Sequence, residues 1–234
     1  MRLITIPISH FCEKARWALD RAGIAYAEER HLQGLHRLAC RRAGGGTTAP
    51  VLVTPDRVLA ESADIVAYAL GEPENAARAL ERDFDERLGP AGRLWMYWSL
   101  HDHPRIAAKY NCTGVPAWQR RMFPLAYPVM IRFIDRHLGV SAVTAAEARA
   151  TVDATFDEVA ERLADGRPYL LGERFTTADL AFAALAAAVL MPEQYGVPLP
   201  SPDELPDEMA SAVRAWREHP AGRHALLMFA RERR

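Results

Sequence analysis

The sequence predicts an α/β domain built on a small mixed sheet, followed by a domain made only of helices. Two observations predict it. Short β-branched runs are confined to the first sixty residues, where they alternate with helical patterns in the order strand, helix, strand, helix, strand–turn–strand, helix. Beyond a linker-like Gly71-Glu72-Pro73-Glu74, apolar residues recur only at helical spacing. With 234 residues, 50% hydrophobic and 25% charged, the chain has apolar surface enough for two such domains, read here as residues 1–71 and 75–234.

Leu3 to Ile8 is a short run suited to a buried strand. Ser9 offers a helix N-cap, Ala15, Ala18, Leu19 and Ala22 recur at helical spacing, and Gly23 stops that helix. Ile24 to Arg30 is read as an edge strand, and a short helix is expected around Gly34 to Arg42. After the loop Gly44-Gly45-Gly46, Pro50-Val51-Leu52-Val53 reads as a strand opened by a proline, where the missing N–H costs no ladder bond. Thr54-Pro55-Asp56-Arg57 is a turn, Val58-Leu59-Ala60 the returning strand, and Ser62 a cap for a helix to Leu70. Further helices are expected at Asn75–His101 with a kink near Gly89-Pro90, at Trp118–Leu138 bent or broken by Pro124 and Pro128, and at Ala145–Ala164, Thr177–Leu190 and Glu208–His219, with a short one at the end. Pro192 to Pro206 reads as a surface loop.

Composition narrows the function. The formal net charge of -1 gives no cationic excess for nucleic acid or a membrane surface. The longest apolar stretch, Leu180 to Met191, falls well short of the roughly 20 residues that span a bilayer. No signal-peptide core is visible at the N-terminus, and the three scattered cysteines form no disulfide framework, so a cytoplasmic setting is expected. No metal is expected: His101 and His103 are two apart and would point to different sides of a helix, with no further ligand pair at suitable spacing.

Four segments carry the chemistry. Ser9-His10-Phe11-Cys12 lies where a strand hands over to a helix, whose N-terminus stabilises an anion. A sulfur anion there would be activated relative to a thiol of pKa ~8.5. The alternative is that Ser9 is only a cap and Cys12 only a small buried hydrophobe. Thr47-Thr48-Ala49-Pro50 allows either a trans or a cis Ala49–Pro50 bond, and base rates favour trans. Glu61-Ser62 opens a helix, either as a plain cap or as a carboxylate-binding turn. Thr176 and Asp179 form a capping box ahead of an apolar helix, a folding signal with no catalytic role.

In this order and spacing the segments resemble the glutathione S-transferase family over essentially the whole chain. The resemblance implies a thioredoxin-like N-terminal domain and an all-helical bundle. It implies that Ala49–Pro50 is cis, that Ala49 lends its backbone to the cysteinyl part of glutathione, and that Glu61 and Ser62 hold the γ-glutamyl group. Ser9 matches the catalytic position of Ser- and Cys-type members, with Cys12 as the second candidate. Two departures stand out: His10 replaces a common proline, and Cys12 occupies the second-cysteine position of glutaredoxin-like turns without a first cysteine. Phe11 belongs to the same turn, and Trp95 and Trp98 are candidates for the electrophile pocket, although aromatic clusters of this kind are more often core.

The expected function is transfer of glutathione, as co-substrate, to a small hydrophobic electrophile, by a homodimer. Two rivals are kept: thiol–disulfide exchange or deglutathionylation through an accessible Cys12, and a non-catalytic binding protein on the same fold.

Overall fold

The computed structural model describes residues 1–233. Its sheet has the order β2-β1-β3-β4, from β1 (Arg2–Thr5), β2 (Ala27–Arg30), β3 (Val51–Val53) and β4 (Val58–Leu59). β1 runs parallel to β2 and antiparallel to β3, with Leu3 opposite Leu52 and Ile4 opposite Val51. The period of two then sends Leu3 and Leu52 to one face and Ile4 and Val51 to the other. On the first face they pack with Ala15 and Leu19 of α1 (His10–Arg21) and Ile65 of α3 (Ser62–Leu70). On the second they meet Cys40 of α2 (His36–Arg42). Both faces are covered, which is why the two central strands, β1 and β3, carry consecutive apolar residues rather than alternating ones, whereas the edge strand β2 is polar.

The Ala49–Pro50 bond is cis, as the resemblance implied and composition alone did not. Ser62 is not the cap of α3. The cap position is Glu61, with extended backbone at φ -113° and no side-chain cap bond, and Ser62 is the first helical residue.

The remainder is helical: α4 (Asn75–Asp83), α5 (Gly89–Leu100), α6 (Pro104–Asn111), α7 (Ala117–Leu138), α8 (Ala142–Arg162), α9 (Thr177–Leu190), α10 (Asp207–Glu218) and α11 (Pro220–Glu232). This is a thioredoxin-like domain followed by a helical one. The irregularity expected at Gly89-Pro90 lies one turn earlier, as a π-helical turn at Phe84–Leu88. Pro90 cannot donate to residue 86 and its ring crowds that carbonyl, so the preceding turn widens. α7 is not broken at Pro124 or Pro128. Its Phe123, Tyr127 and Ile131 pack with Leu32, Ala107 and Val115, and that packing holds the helix through both prolines. α6 was not anticipated, and the loop from Pro192 to Pro206 contains a short 3-10 turn at Pro202–Glu204.

α9 is buried along its whole length, which explains a sequence apolar on every side. Its capping box forms: the buried Asp179 accepts from Thr176 N at 2.9 Å and also from Leu170 N at 2.7 Å. Buried charge fixes α1 to the helical domain. Lys14, fully buried, lies 2.8 Å from Glu81 and 2.6 Å from Asp85. Glu13, equally buried, takes Arg16 at 3.2 Å and Arg233 at 2.7 Å. Among the described residues no helix is long and apolar enough to cross a membrane.

Candidate active site

β1 ends at Thr5, and Ile6 to Ile8 carry the chain to Ser9, whose extended backbone (φ -70°, ψ 121°) caps α1. Ser9 Oγ accepts a long hydrogen bond of 3.4 Å from Cys12 N, so its own hydroxyl hydrogen remains available to a ligand. Ser9, His10 and Phe11 border a cavity of about 840 Å³. Thr47, Thr48 and Ala49 add the lip beside the cis bond, and Leu32 to Arg37 form the side toward α2. The opposite wall is helical: Arg93, Met96 and Tyr97 from α5, and Met122, Phe123, Ala126, Val129, Met130, Phe133 and Ile134 from α7. Arg37 reaches across to Phe133, 5.9 Å from the ring centroid, so α2 and α7 meet over the space. The exposure of Met122, Val129 and Phe133, at 50%, 70% and 52%, is therefore apolar surface turned toward the cavity mouth.

His10, the residue that replaces a proline, is buried and lies with Nε2 3.0 Å from the Gly89 carbonyl. A carbonyl only accepts, so Nε2 carries the proton and Nδ1 does not. Burial, then the positive charge of Arg93, pull its pKa from 6.5 to about 3, against the Gly89 bond that raises it. His10 is a neutral imidazole on the cavity wall. Phe11 packs where Gly89 has no side chain: a Cβ there would stand 2.5 Å from the ring.

Several expected site residues lie elsewhere. Cys12 is fully buried, outside the cavity lining, with Ile6 N donating to its Sγ at 3.4 Å. Desolvation pushes its thiol up, against Arg16, which pulls it down. The exchange chemistry required an accessible thiol with a lowered pKa, and Cys12 has neither property. Trp95 is core, 5% exposed and edge-on to Trp216 at 4.6 Å. Trp98 is 44% exposed and does not border the cavity either. Position 95 lies on the side of α5 that includes Gly92, which packs against Ala188 of α9, whereas 93, 96 and 97 share the cavity side. That three- and four-residue spacing was the available signal for Arg93 and Met96. Glu61 and Ser62 stand at the start of α3, the first exposed and the second buried, and neither borders the cavity. Burial, then Asp64 and Asp85, push the Glu61 carboxyl up. Pro50 is buried behind Ala49. His101 is tied to Asp102 at 2.9 Å and Asp135 at 3.0 Å, and no group of three metal-ligating side chains occurs among the described residues.

Comparison with known proteins agrees with this architecture. Residues 3–77 match the model of the glutathione S-transferase N-terminal domain, and residues 142–219 match that of the C-terminal domain. A glutathione S-transferase of Ceriporiopsis subvermispora in complex with glutathione superposes with a TM-score of 0.63 at 18% identity, over 99% of this chain and 96% of that one. A glutathione transferase of Phanerochaete chrysosporium gives 0.63 at 17% identity, again over 99% and 96%. One from Methylobacterium radiotolerans, in complex with glutathione sulfonate, gives 0.53 at 17% identity over 96% and 93%. No curated protein sequence matches. The chain belongs to the glutathione S-transferase family. Residues 78–141, between the two matches, hold both helices of the apolar wall, α5 and α7.

Proposed function

We propose that the protein is a glutathione transferase that activates the thiol of bound glutathione for attack on a small apolar electrophile. The observation that carries this reading is one continuous cavity, which joins Ser9 at the N-terminus of α1 and Ala49 beside the cis bond to the apolar side chains of α5 and α7. A sulfur next to Ser9 would take a hydrogen bond from Oγ and feel the unpaired amides of the first turn of α1, and both favour thiolate. Ala49 offers its backbone to the cysteinyl unit. Glu61, exposed at the start of α3, would take the ammonium of the γ-glutamyl end, as family membership implies.

In the reaction the thiol proton leaves to solvent. The sulfur lone pair forms the new S–C bond, and either a leaving group departs with its bonding pair or an activated double bond takes the charge. The protein supplies thiolate stabilisation and proximity. A homodimer is part of the same proposal, as family membership implies.

The test is Ser9→Ala, assayed for conjugation of a generic aromatic halide across pH. The variant is expected to raise the apparent pKa of the bound thiol and to lower kcat/KM at neutral pH by roughly tenfold, the worth of one charge-assisted hydrogen bond. A pH–rate profile unchanged from the parent removes Ser9 from the mechanism.

A further inference from the structure

Every buried cation outside the cavity is paired. Lys14 has Glu81 and Asp85, Arg16 has Glu13 and Glu28, and Arg233 has Glu13 and Asp20. Arg93 differs. It borders the cavity, yet no carboxylate lies within ion-pair distance of it among the described residues, and its Nε is buried without a hydrogen-bond acceptor. Arg93 is half-buried, and a buried Nε–H left without an acceptor is unfavourable unless a ligand meets it. The cavity supplies no acid of its own, since its lining contains neither Asp nor Glu. Arg37, the other arginine of the lining, is already engaged over the Phe133 ring. Around Arg93 the surface is Met96, Tyr97 and the apolar side of α7, and beside it lies His10, whose neutral ring brings no competing charge.

We infer that Arg93 recognises an anionic group on the electrophile, so that the cavity selects apolar electrophiles bearing a carboxylate or sulfonate over their uncharged counterparts. The inference rests on the proposed transferase reading only for the word electrophile; the anion site stands on the geometry alone. A planar fork facing a carboxylate permits two parallel hydrogen bonds, which sets orientation as well as affinity. The apolar body would lie along Met96 and the α7 side chains, with the anion at the end nearest α1.

The experiment is titration calorimetry with 2-naphthoate and 2-naphthamide, alike in shape and different in charge, with and without glutathione. The parent protein is expected to bind naphthoate about tenfold more tightly than naphthamide. In Arg93→Met the ratio is expected to fall to within twofold of one. Arg93→Gln, which keeps a polar head without charge, is expected to do the same and serves if Arg93→Met does not fold. A ratio unchanged in both variants overturns the inference, as does a ratio lost in Arg37→Ala but kept in Arg93→Gln. If Arg93→Gln instead weakens glutathione tenfold and leaves the naphthoate preference intact, Arg93 serves the tripeptide and the inference also fails. Loss of glutathione turnover in the parent, with the naphthoate preference present, would remove the transferase reading and leave the anion site.

Discussion

His10 gives the most quantitative prediction, because one group couples the cavity wall to stability. In the folded protein its pKa is held at about 3, through burial first and the charge of Arg93 second; in the unfolded chain it is the ordinary 6.5. The folded state therefore excludes a proton that the unfolded state accepts. Stability from this group is fully present above pH 6.5 and is lost progressively as pH falls from 6.5 to 3. At pH 5 the loss is about 1.36 kcal/mol for each of the 1.5 pH units below the unfolded value, so about 2 kcal/mol. Other groups titrate in the same window, and Glu61, Glu81 and Asp85, whose carboxyls are raised, act in the opposite direction. The measurement is therefore a difference: urea unfolding of the parent and of His10→Gln at pH 7.5 and pH 5. Gln keeps a donor for the Gly89 carbonyl and takes up no proton. The parent is expected to lose about 2 kcal/mol more than the variant between the two pH values. Parallel losses would refute the argument, and so would an imidazole NMR resonance of His10 that titrates near 6.5.

Two further perturbations test how the domains are held. Lys14→Met strands Glu81 and Asp85 without their cation, and should cost about 3–5 kcal/mol, a large part of a typical stability of about 5–15 kcal/mol. Burial already raises both carboxyls, so protonation in the folded state relieves them, and the deficit should shrink on acidification toward pH 5. A loss below about 1 kcal/mol in thermal or urea unfolding would show that the ion pairs contribute little. Gly222→Ala places a Cβ 1.8 Å from the Trp216 carbonyl, where backbone meets backbone between α10 and α11. The expected cost is about 3 kcal/mol or more, read as a lowered melting temperature; an unchanged melting temperature would mean that the two helices separate freely.

The sequence by itself determined the fold class, most element positions and the turn that bears Ser9. Those features are written in local chemistry: β-branched runs, the serine cap, the proline-opened strand and the Thr176–Asp179 box around which α9 starts. The approach of α2 and α7 over the cavity, the burial of Cys12 and the division of α5 into two sides were decided only in the tertiary structure. Cys12 illustrates the reason. Three residues past Ser9 in the sequence, it shares the same helix end, but the helical turn directs its sulfur into the core while Ser9 stays on the cavity wall. The same rotation puts Trp95 against Trp216 and leaves Arg93, which no sequence motif marks, on the cavity wall with no acid to neutralise it. Local propensity fixes where a helix begins, whereas the side that faces a cavity depends on which neighbours cover the rest, and those neighbours can be as distant in the chain as Trp216 is from Trp95.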